Sequence, residues 1–297
     1  MSIFSWIKGS SFKGEEFKTF QQDEMKQQPK PFWTRCENCG IILYHKHLRE
    51  NQYVCFSCDY HLTMNSQERI ENLLDENTWV PLDSFLSPIN PLNFYDHKSY
   101  TERLGKAQEK TGLQDAIQTG IGKLDGIPVA LGIFDFDFLG GTIGSVVGEK
   151  LVRLIDYAAK KGLTLIIISS SGGVRVQEGA LSLFQMAKIN AALQKYQDSS
   201  KLLYISILTS PTTGGASASF AFLGDFIIAE PNALIGFAGR KIIEQKMKGP
   251  LPKDFQTAKY FLEKGFIDLI IPRTFLRQAI SEILSLHFNS IKLFKSG

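Results

Sequence analysis

Four cysteines constrain this chain more than any other feature. Cys36, Cys39, Cys55 and Cys58 form two Cys-x2-Cys pairs with fifteen residues between them, and the chain has no other cysteine. Each pair is a knuckle that holds two thiolates within about 4 Å of each other, and two facing knuckles complete a tetrahedron. The spacing falls in the range of four-thiolate zinc sites. Four sulfur ligands fill the coordination shell, so the zinc expected here is structural and has no open position for catalysis. Gly40 follows the first knuckle, where a positive φ is often needed. Free or redox-active thiols are the competing expectation. They fit less well, because a redox Cys-x2-Cys normally stands singly in a thioredoxin-like pattern. His45, His47 and His61 lie near enough in sequence to replace a ligand, but the expected set is the four cysteines.

The rest of the chain divides around this module. Residues 1–31 are Gln- and Lys-rich and end in Pro29-Lys30-Pro31, which predicts a flexible arm. Residues 32–62 carry the ribbon. Residues 63–297 are large enough for one α/β domain. Asn65-Ser66-Gln67-Glu68 predicts a helix start, followed by Ile70, Leu73 and Leu74 at helical spacing, and the Pro-rich stretch 81–91 breaks the pattern. From about residue 115, apolar strand-like runs alternate with helical ones. Strands are expected at Val129–Phe138, Leu163–Ser169, Leu202–Thr209, Phe226–Ala229, Ala233–Phe237 and Ile267–Ile271. Helices are expected at Ser145–Lys161, Glu178–Tyr196 and Ala216–Leu223 and from about Gln256 onward. This alternation predicts buried, mainly parallel strands.

Charge and polarity exclude some roles. The net charge of +3 is too small for a protein whose main task is coating nucleic acid. Up to residue 65 there are eight basic and seven acidic side chains, a difference of only +1. Phe32, Trp33, Tyr44, Tyr53 and Phe56 could stack on bases. They could equally pack the small core of a metal-dependent module, and that reading is preferred. No apolar run approaches the roughly 18 residues of a membrane span. The N-terminus lacks the basic, apolar and cleavage regions of a secretory signal, so a cytoplasmic protein without membrane contact is expected.

The large domain is poor in reactive side chains. Residues 98–286 contain neither Cys nor His, which excludes a Cys–His pair or a Ser–His–Asp triad within that segment. There is no phosphate-loop or dinucleotide-binding fingerprint. What remains is three glycine pairs after successive strands: Gly140-Gly141, Gly172-Gly173 and Gly214-Gly215. Backbone without Cβ can approach a ligand closely, and N–H groups at a helix start are ready anion donors. Such donors can stabilise an oxyanion with no side chain at all. A purely structural role, in tight turns and close helix–sheet packing, is the alternative for each pair.

These residues carry a resemblance. The four-Cys ribbon, FDFDFLGGTIGSVVGEK (134–150), SSSGGVRVQEG (169–179), SILTSPTTGGASASFAFLGDFIIAEP (206–231) and LIGFAGRKIIEQ (234–245) stand in the order of one family. The chain resembles the β subunits of bacterial acetyl-coenzyme A carboxylase carboxyltransferases, from about Phe32 to about Leu286. The resemblance implies an α/β, crotonase-like (ClpP/crotonase) spiral of ββα units behind a zinc ribbon. It implies transfer of a carboxyl group from carboxybiotin, on a biotinyl carrier protein, to acetyl-CoA, giving malonyl-CoA. It further implies a separate α subunit in an α2β2 assembly, a biotin carboxylase, and ATP used by another component. By position, Gly172, Gly173, Gly214 and Gly215 become the oxyanion-stabilising turns. Gly140, Gly141, Phe237 and Gly239 become substrate-channel lining. Arg175 and Glu178 either orient the loop after Gly173 or form a structural ion pair. After Gly-Phe-Ala-Gly the family usually has Pro-Arg, whereas this chain has Arg240-Lys241, so Arg240 stands in as the guanidinium.

Two other classes give distinct expectations. A zinc-ribbon nucleic-acid-binding protein would bind with steep salt dependence. A crotonase-like hydratase or isomerase would need a carboxylate base near the oxyanion donors, for which Glu178 and Glu149 are the candidates.

Overall fold

The computed structural model describes residues 32–200, 202–246 and 250–295. The arm expected at 1–31 lies outside the described residues. Two short antiparallel strands, β1 (Trp33–Arg35) and β2 (Ile42–Tyr44), with helix α1 (His45–Glu50), form the ribbon. Its core is small: Cys36, Leu43, Leu48, Tyr53, Cys55 and Met64. Helix α2 (Ser66–Leu73) starts where the sequence places it, because the Asn65 side chain accepts the Glu68 N–H at 2.8 Å. Then come β3 (Val80–Leu82), helix α3 (Tyr100–Thr111) and the hairpin β4 (Ile117–Leu124) and β5 (Ile127–Phe134).

The alternation then becomes regular. Helix α4 (Ser145–Lys161) ends on left-handed Gly162, with Lys160 and Lys161 in its last turn, where cations complement the helix dipole. Strand β6 (Thr164–Ser171), helix α5 (Ala180–Ser200), β7 (Tyr204–Thr213), β8 (Phe226–Ala229) and β9 (Ile235–Gly236) follow. Helices α6 (Arg240–Lys246) and α7 (Ala258–Glu263), strand β10 (Leu269–Ile270) and helix α8 (Arg273–Lys295) complete the chain. The large sheet runs in the order β10-β8-β7-β6-β5-β4-β3, with β9 paired to β7. From β5 to β10 the strands are parallel, while β3, β4 and β5 pair antiparallel.

Alternation along each central strand feeds two apolar layers. Leu165, Ile167, Tyr204 and Leu208 face a layer that includes Leu151, Leu154 and Ile155 of α4 and Ile189 and Leu193 of α5. Ile166, Ile168, Ile205 and Ile207 face the opposite layer, with Ile70 and Leu73 of α2 and Leu276, Ile280 and Leu284 of α8. Each such side chain contributes about 1.5–3 kcal/mol on full burial. The layers fix the ends of β5, β6 and β7 side by side, and the glycine pairs follow those ends.

The helix expected at Ala216–Leu223 does not form. The segment is a run of turns closed by a single 3-10 turn at Phe220–Phe222. Its serines divert the local hydrogen bonding. Ser217 Oγ lies 3.0 Å from the Gly214 carbonyl and 2.7 Å from that of Gly236, and Ser219 Oγ donates to the Gly215 carbonyl at 2.5 Å. Hydroxyl bonds of this kind compete with helix formation.

Candidate functional site

The four sulfurs come together as the spacing predicts. Their Sγ atoms all lie within 4.8 Å of one another. Cys36 and Cys58 are 3.7 Å apart, and Cys39 and Cys55 are 3.8 Å apart. A regular tetrahedron of zinc–sulfur bonds of about 2.3 Å has sulfur–sulfur edges of about 3.8 Å, so the cage fits zinc. Gly40 adopts a φ of 76° behind the first knuckle. Among the described residues no histidine joins the cluster. His61 instead accepts the Arg273 N–H through Nε2 at 3.2 Å.

The aromatic residues of the ribbon divide. Tyr53 is buried, and its hydroxyl donates to Glu68 at 2.6 Å. Phe32, Trp33 and Phe56 are exposed, contrary to a common role in the mini-core.

The ribbon is fastened to the body through one buried ion cluster. Glu230, just beyond β8, accepts Arg69 Nη1 at 2.8 Å, Arg273 Nε at 2.8 Å and Arg273 Nη2 at 2.7 Å. Arg273 Nη1 donates onward to the ribbon carbonyls of Gln52 and Leu62, at 2.9 and 3.1 Å. Burial alone would raise the Glu230 pKa, but the two guanidiniums outweigh it and hold the carboxyl well below its usual range.

The three glycine pairs converge. The Gly172 N–H donates to the Gly140 carbonyl at 2.9 Å, and the Gly214 N–H is shared between the carbonyls of Gly236 and Phe237, at 3.1 and 3.2 Å. Gly173, at φ 110°, lies with its backbone against Gly214 and Gly215. A Cβ on it would sit 3.0 Å from the Gly215 nitrogen and 3.1 Å from the Gly214 Cα. Gly141 packs so closely on β6 that a Cβ would overlap the Ser170 carbonyl oxygen, which is the packing role. The Gly173 N–H is taken by Ser171 Oγ at 3.1 Å. Thus three of the four N–H groups of Gly172-Gly173 and Gly214-Gly215 already have acceptors. Among the described residues, the Val174 and Gly215 N–H groups have none. They lie close together, since a Cβ on Gly215 would be 3.6 Å from the Val174 nitrogen. Sequence reasoning named Gly215 but missed Val174, whose only sequence signal is its place after the glycine pair. No helix follows either turn directly, so any donation comes from the local N–H groups rather than from a helix start.

Beneath these turns lies a buried polar knot. Arg175 is fully buried. Its Nη2 donates to Asp115 Oδ1 at 2.5 Å and to the Thr142 carbonyl at 2.8 Å, and its Nη1 donates to the Tyr100 hydroxyl at 3.2 Å. Glu178 accepts the Tyr100 hydroxyl at 2.7 Å and the Ser145 N–H at 2.6 Å, and lies 3.5 Å from Arg175 Nη1. Burial would lower the Arg175 pKa, but Asp115 holds it up, so the guanidinium stays charged. This knot ties the turn after Gly173 to the start of α4. Glu178 is wholly engaged in it. Glu149 sits at the surface and pairs with Arg153 and Lys188. Neither carboxylate is left as a base.

The outer predicted residues lie on the segment after β9. Phe237 and Gly239 are exposed. Arg240 pairs with Glu244 at 2.9 Å and donates to the Pro252 carbonyl at 3.1 Å, within its own segment.

The carboxyl transferase domain model matches residues 64–258, and the acetyl-CoA carboxylase zinc finger domain model matches residues 33–58. The chain is 60% identical over 288 residues to the chloroplastic acetyl-coenzyme A carboxylase carboxyl transferase subunit beta of Chlorella vulgaris, covering 97% of this chain and 70% of the relative. It is 52% identical over 287 residues to the subunit beta of Microcystis aeruginosa, covering 97% and 90%. Among solved structures, a transcarboxylase 12S with methylmalonyl-coenzyme A and methylmalonic acid bound superposes with a TM-score of 0.63 at 25% identity. That match covers 75% of this chain, which spans 41% of the transcarboxylase chain.

Proposed function

The chain belongs to the carboxyl transferase family, among the acetyl-CoA carboxylase carboxyl transferase β subunits, and we propose that it carries out carboxyl transfer to acetyl-CoA on a site built from backbone N–H groups. The product is malonyl-CoA, the first committed intermediate of fatty acid biosynthesis. The fold is the crotonase-like α/β fold, and the ribbon binds zinc.

The observation that carries the site reading is the pair of N–H groups at Val174 and Gly215 that have no acceptor. A thioester carbonyl oxygen placed between them would gain two donors. Those bonds strengthen as the oxygen takes on enolate charge, and one such donor lowers the barrier by about 3–4 kcal/mol. The biotin of a carrier protein, when bound, supplies the carboxyl group and the basic atom for the acetyl methyl proton. This matches the residues present, because Glu178 and Glu149 are both committed to ion pairs. The chain's own part is to hold the thioester oxygen, keep it dry and fix its geometry. The backbone of Gly172, Gly173 and Gly214 shapes the two turns, while Gly140, Phe237, Gly239 and Arg240 border the substrate channel and Gly141 packs its turn against β6.

The wider assembly belongs to the same proposal. An α subunit completes the site in an α2β2 arrangement, a biotinyl carrier protein and a biotin carboxylase deliver the carboxyl group, and ATP is consumed in the carboxylase. The boundaries are 1–31 for the arm, 32–62 for the ribbon and 63–297 for the transferase body. Among the described residues no helix is long and apolar enough to cross a membrane. The working location is the cytoplasm, although the Chlorella relative is chloroplastic. The two carboxylates a hydratase would use, Glu178 and Glu149, are both engaged in ion pairs, and the net charge of +3 gives a primary nucleic-acid role little support. The exposed rings of Trp33 and Phe56 offer at most a secondary stacking contact, which salt-dependent binding would reveal.

The test is malonyl-CoA consumption with a free biotin derivative, using purified chain with and without the α subunit. Activity only when both are present supports the proposal. A silent assembled complex removes it.

A further inference from the structure

Gln256 is held in an unusual way. It is 4% exposed and adopts a φ of 67°, a left-handed conformation uncommon for a residue other than glycine. Its side-chain Nε2 donates to the Ala238 carbonyl at 2.6 Å, and its own carbonyl accepts the Ile235 N–H at 3.0 Å. The side chain lies flat on Gly236, with Cδ and Cγ at 2.8 and 3.0 Å from where a Cβ would stand. Gln256 therefore grips the segment Ile235–Ala238 from both ends. The Gly236 and Phe237 carbonyls of that segment receive the Gly214 N–H, and Ser217 Oγ also donates to the Gly236 carbonyl at 2.7 Å.

We propose that Gln256 is a positioning residue for the transfer reaction: it sets the Gly236–Phe237 carbonyls, which anchor the Gly214 N–H and so aim the neighbouring Gly215 N–H at the substrate oxygen. This rests on the carboxyltransfer reading and deepens it. The left-handed backbone places the amide over Gly236. Glycine there leaves room for it, and a larger residue would displace it. Gln256 touches no reacting atom, so its removal should act through geometry, where a displacement of about 1 Å costs on the order of a hundredfold in rate.

The experiment uses the assembled complex with the α subunit, malonyl-CoA and a free biotin derivative. Gln256→Met keeps the side-chain volume and loses the donor. The expected result is a fall in kcat of about ten- to a hundredfold, with kcat/KM falling equally, the signature of an interaction realised in the transition state. Hydrogen exchange at the Gly214 amide should accelerate in the same variant. A folded variant with wild-type kcat overturns the proposal, as does a rise in KM alone. If Gln256→Met does not fold, Ser217→Ala decides, since it removes the hydroxyl that holds the same Gly236 carbonyl. A loss of kcat with unchanged KM is expected, and an unchanged kcat overturns the proposal. An inactive wild-type complex would sink the carboxyltransfer reading itself, and this inference with it.

Discussion

The zinc ribbon and the glycine turns both gather donor atoms around a point, but they do so with opposite materials. In the ribbon the donors are four side-chain sulfurs, on a module with little apolar core of its own. Its core holds six residues, two of them cysteines. In the body the proposed donors are main-chain N–H groups, and the side chains serve by being absent or by packing behind. Two apolar layers hold the strand ends there, and the Arg175 knot fixes the turn. The ribbon therefore borrows stability from its ligand, while the body owns its stability and lends order to its ligand. Metal removal should separate the two regions, and changes to packing should affect the body alone.

Removal of zinc is the strongest way to break this comparison. Structural zinc in small modules contributes about 10–16 kcal/mol of binding free energy, which is folding free energy for the module. Chelation, or Cys55→Ser, should release one zinc per chain and expose the amides of residues 33–62 to rapid hydrogen exchange. The amides of β5, β6 and β7 should stay protected. A ribbon that remains protected without metal would show that its own core suffices.

Arg273→Met attacks the seam between the two regions. It leaves Glu230 with only Arg69 and removes the bonds to the Gln52 and Leu62 carbonyls. Breaking a buried ion cluster from one side costs about 3–5 kcal/mol, which urea unfolding of the full chain would measure. The acid dependence gives a second readout. The carboxyl of Glu230 is held below its ordinary value of 4.5, so its stabilisation is fully present above that pH and is lost as pH falls toward the folded pKa. The variant should flatten that acid-induced loss. An unchanged acid profile would mean that Glu230 does not couple the two regions.

Gly215→Val tests the body alone. A Cβ at this position would stand 2.6 Å from Val174 Cγ1 and 2.8 Å from Met186 Sδ, so the larger valine side chain must displace Val174 and Met186 and disturb the aim of the donors. Losing one aimed donor should lower kcat by about 10²–10³. Overpacking should cost only about 1–3 kcal/mol of stability, so assembly with the α subunit should survive. Zinc content should not change. An active Gly215→Val complex would show that the donors lie elsewhere.

The same contrast decides what could be read from sequence. Cysteine spacing names the ribbon's ligands directly, because the donor atoms belong to those residue types alone. The strands β5 to β8 and helix α4 announce themselves by apolar runs and by the Gly162 stop. Strand β4 does not. Its Gly120 and Gly122 dilute the strand pattern, and they are there because Trp79 and Leu74 lie over them. The helix expected at 216–223 fails because Ser217 and Ser219 spend their hydroxyls on nearby carbonyls, a tertiary outcome that propensity does not anticipate. Val174 is invisible for a deeper reason. Every residue except proline carries an N–H, so a backbone donor leaves no mark of its own, only the glycines that make room for it.

The smallest expected effect is also the sharpest discriminator between carboxyl transfer and base-catalysed hydratase chemistry. Glu149 pairs with Arg153 and Lys188 on the outer faces of α4 and α5, and it takes no part in the knot around Arg175. A carboxylate acting as general base contributes about 10²–10⁴ to rate. Glu149→Gln should instead change kcat by less than about twofold, since a solvent-exposed pair stabilises little. A large loss in this variant, with zinc content and assembly intact, would place a side-chain base in the reaction. The body would then work through side-chain chemistry as the ribbon does, and the division of labour between the two regions would fail at its centre.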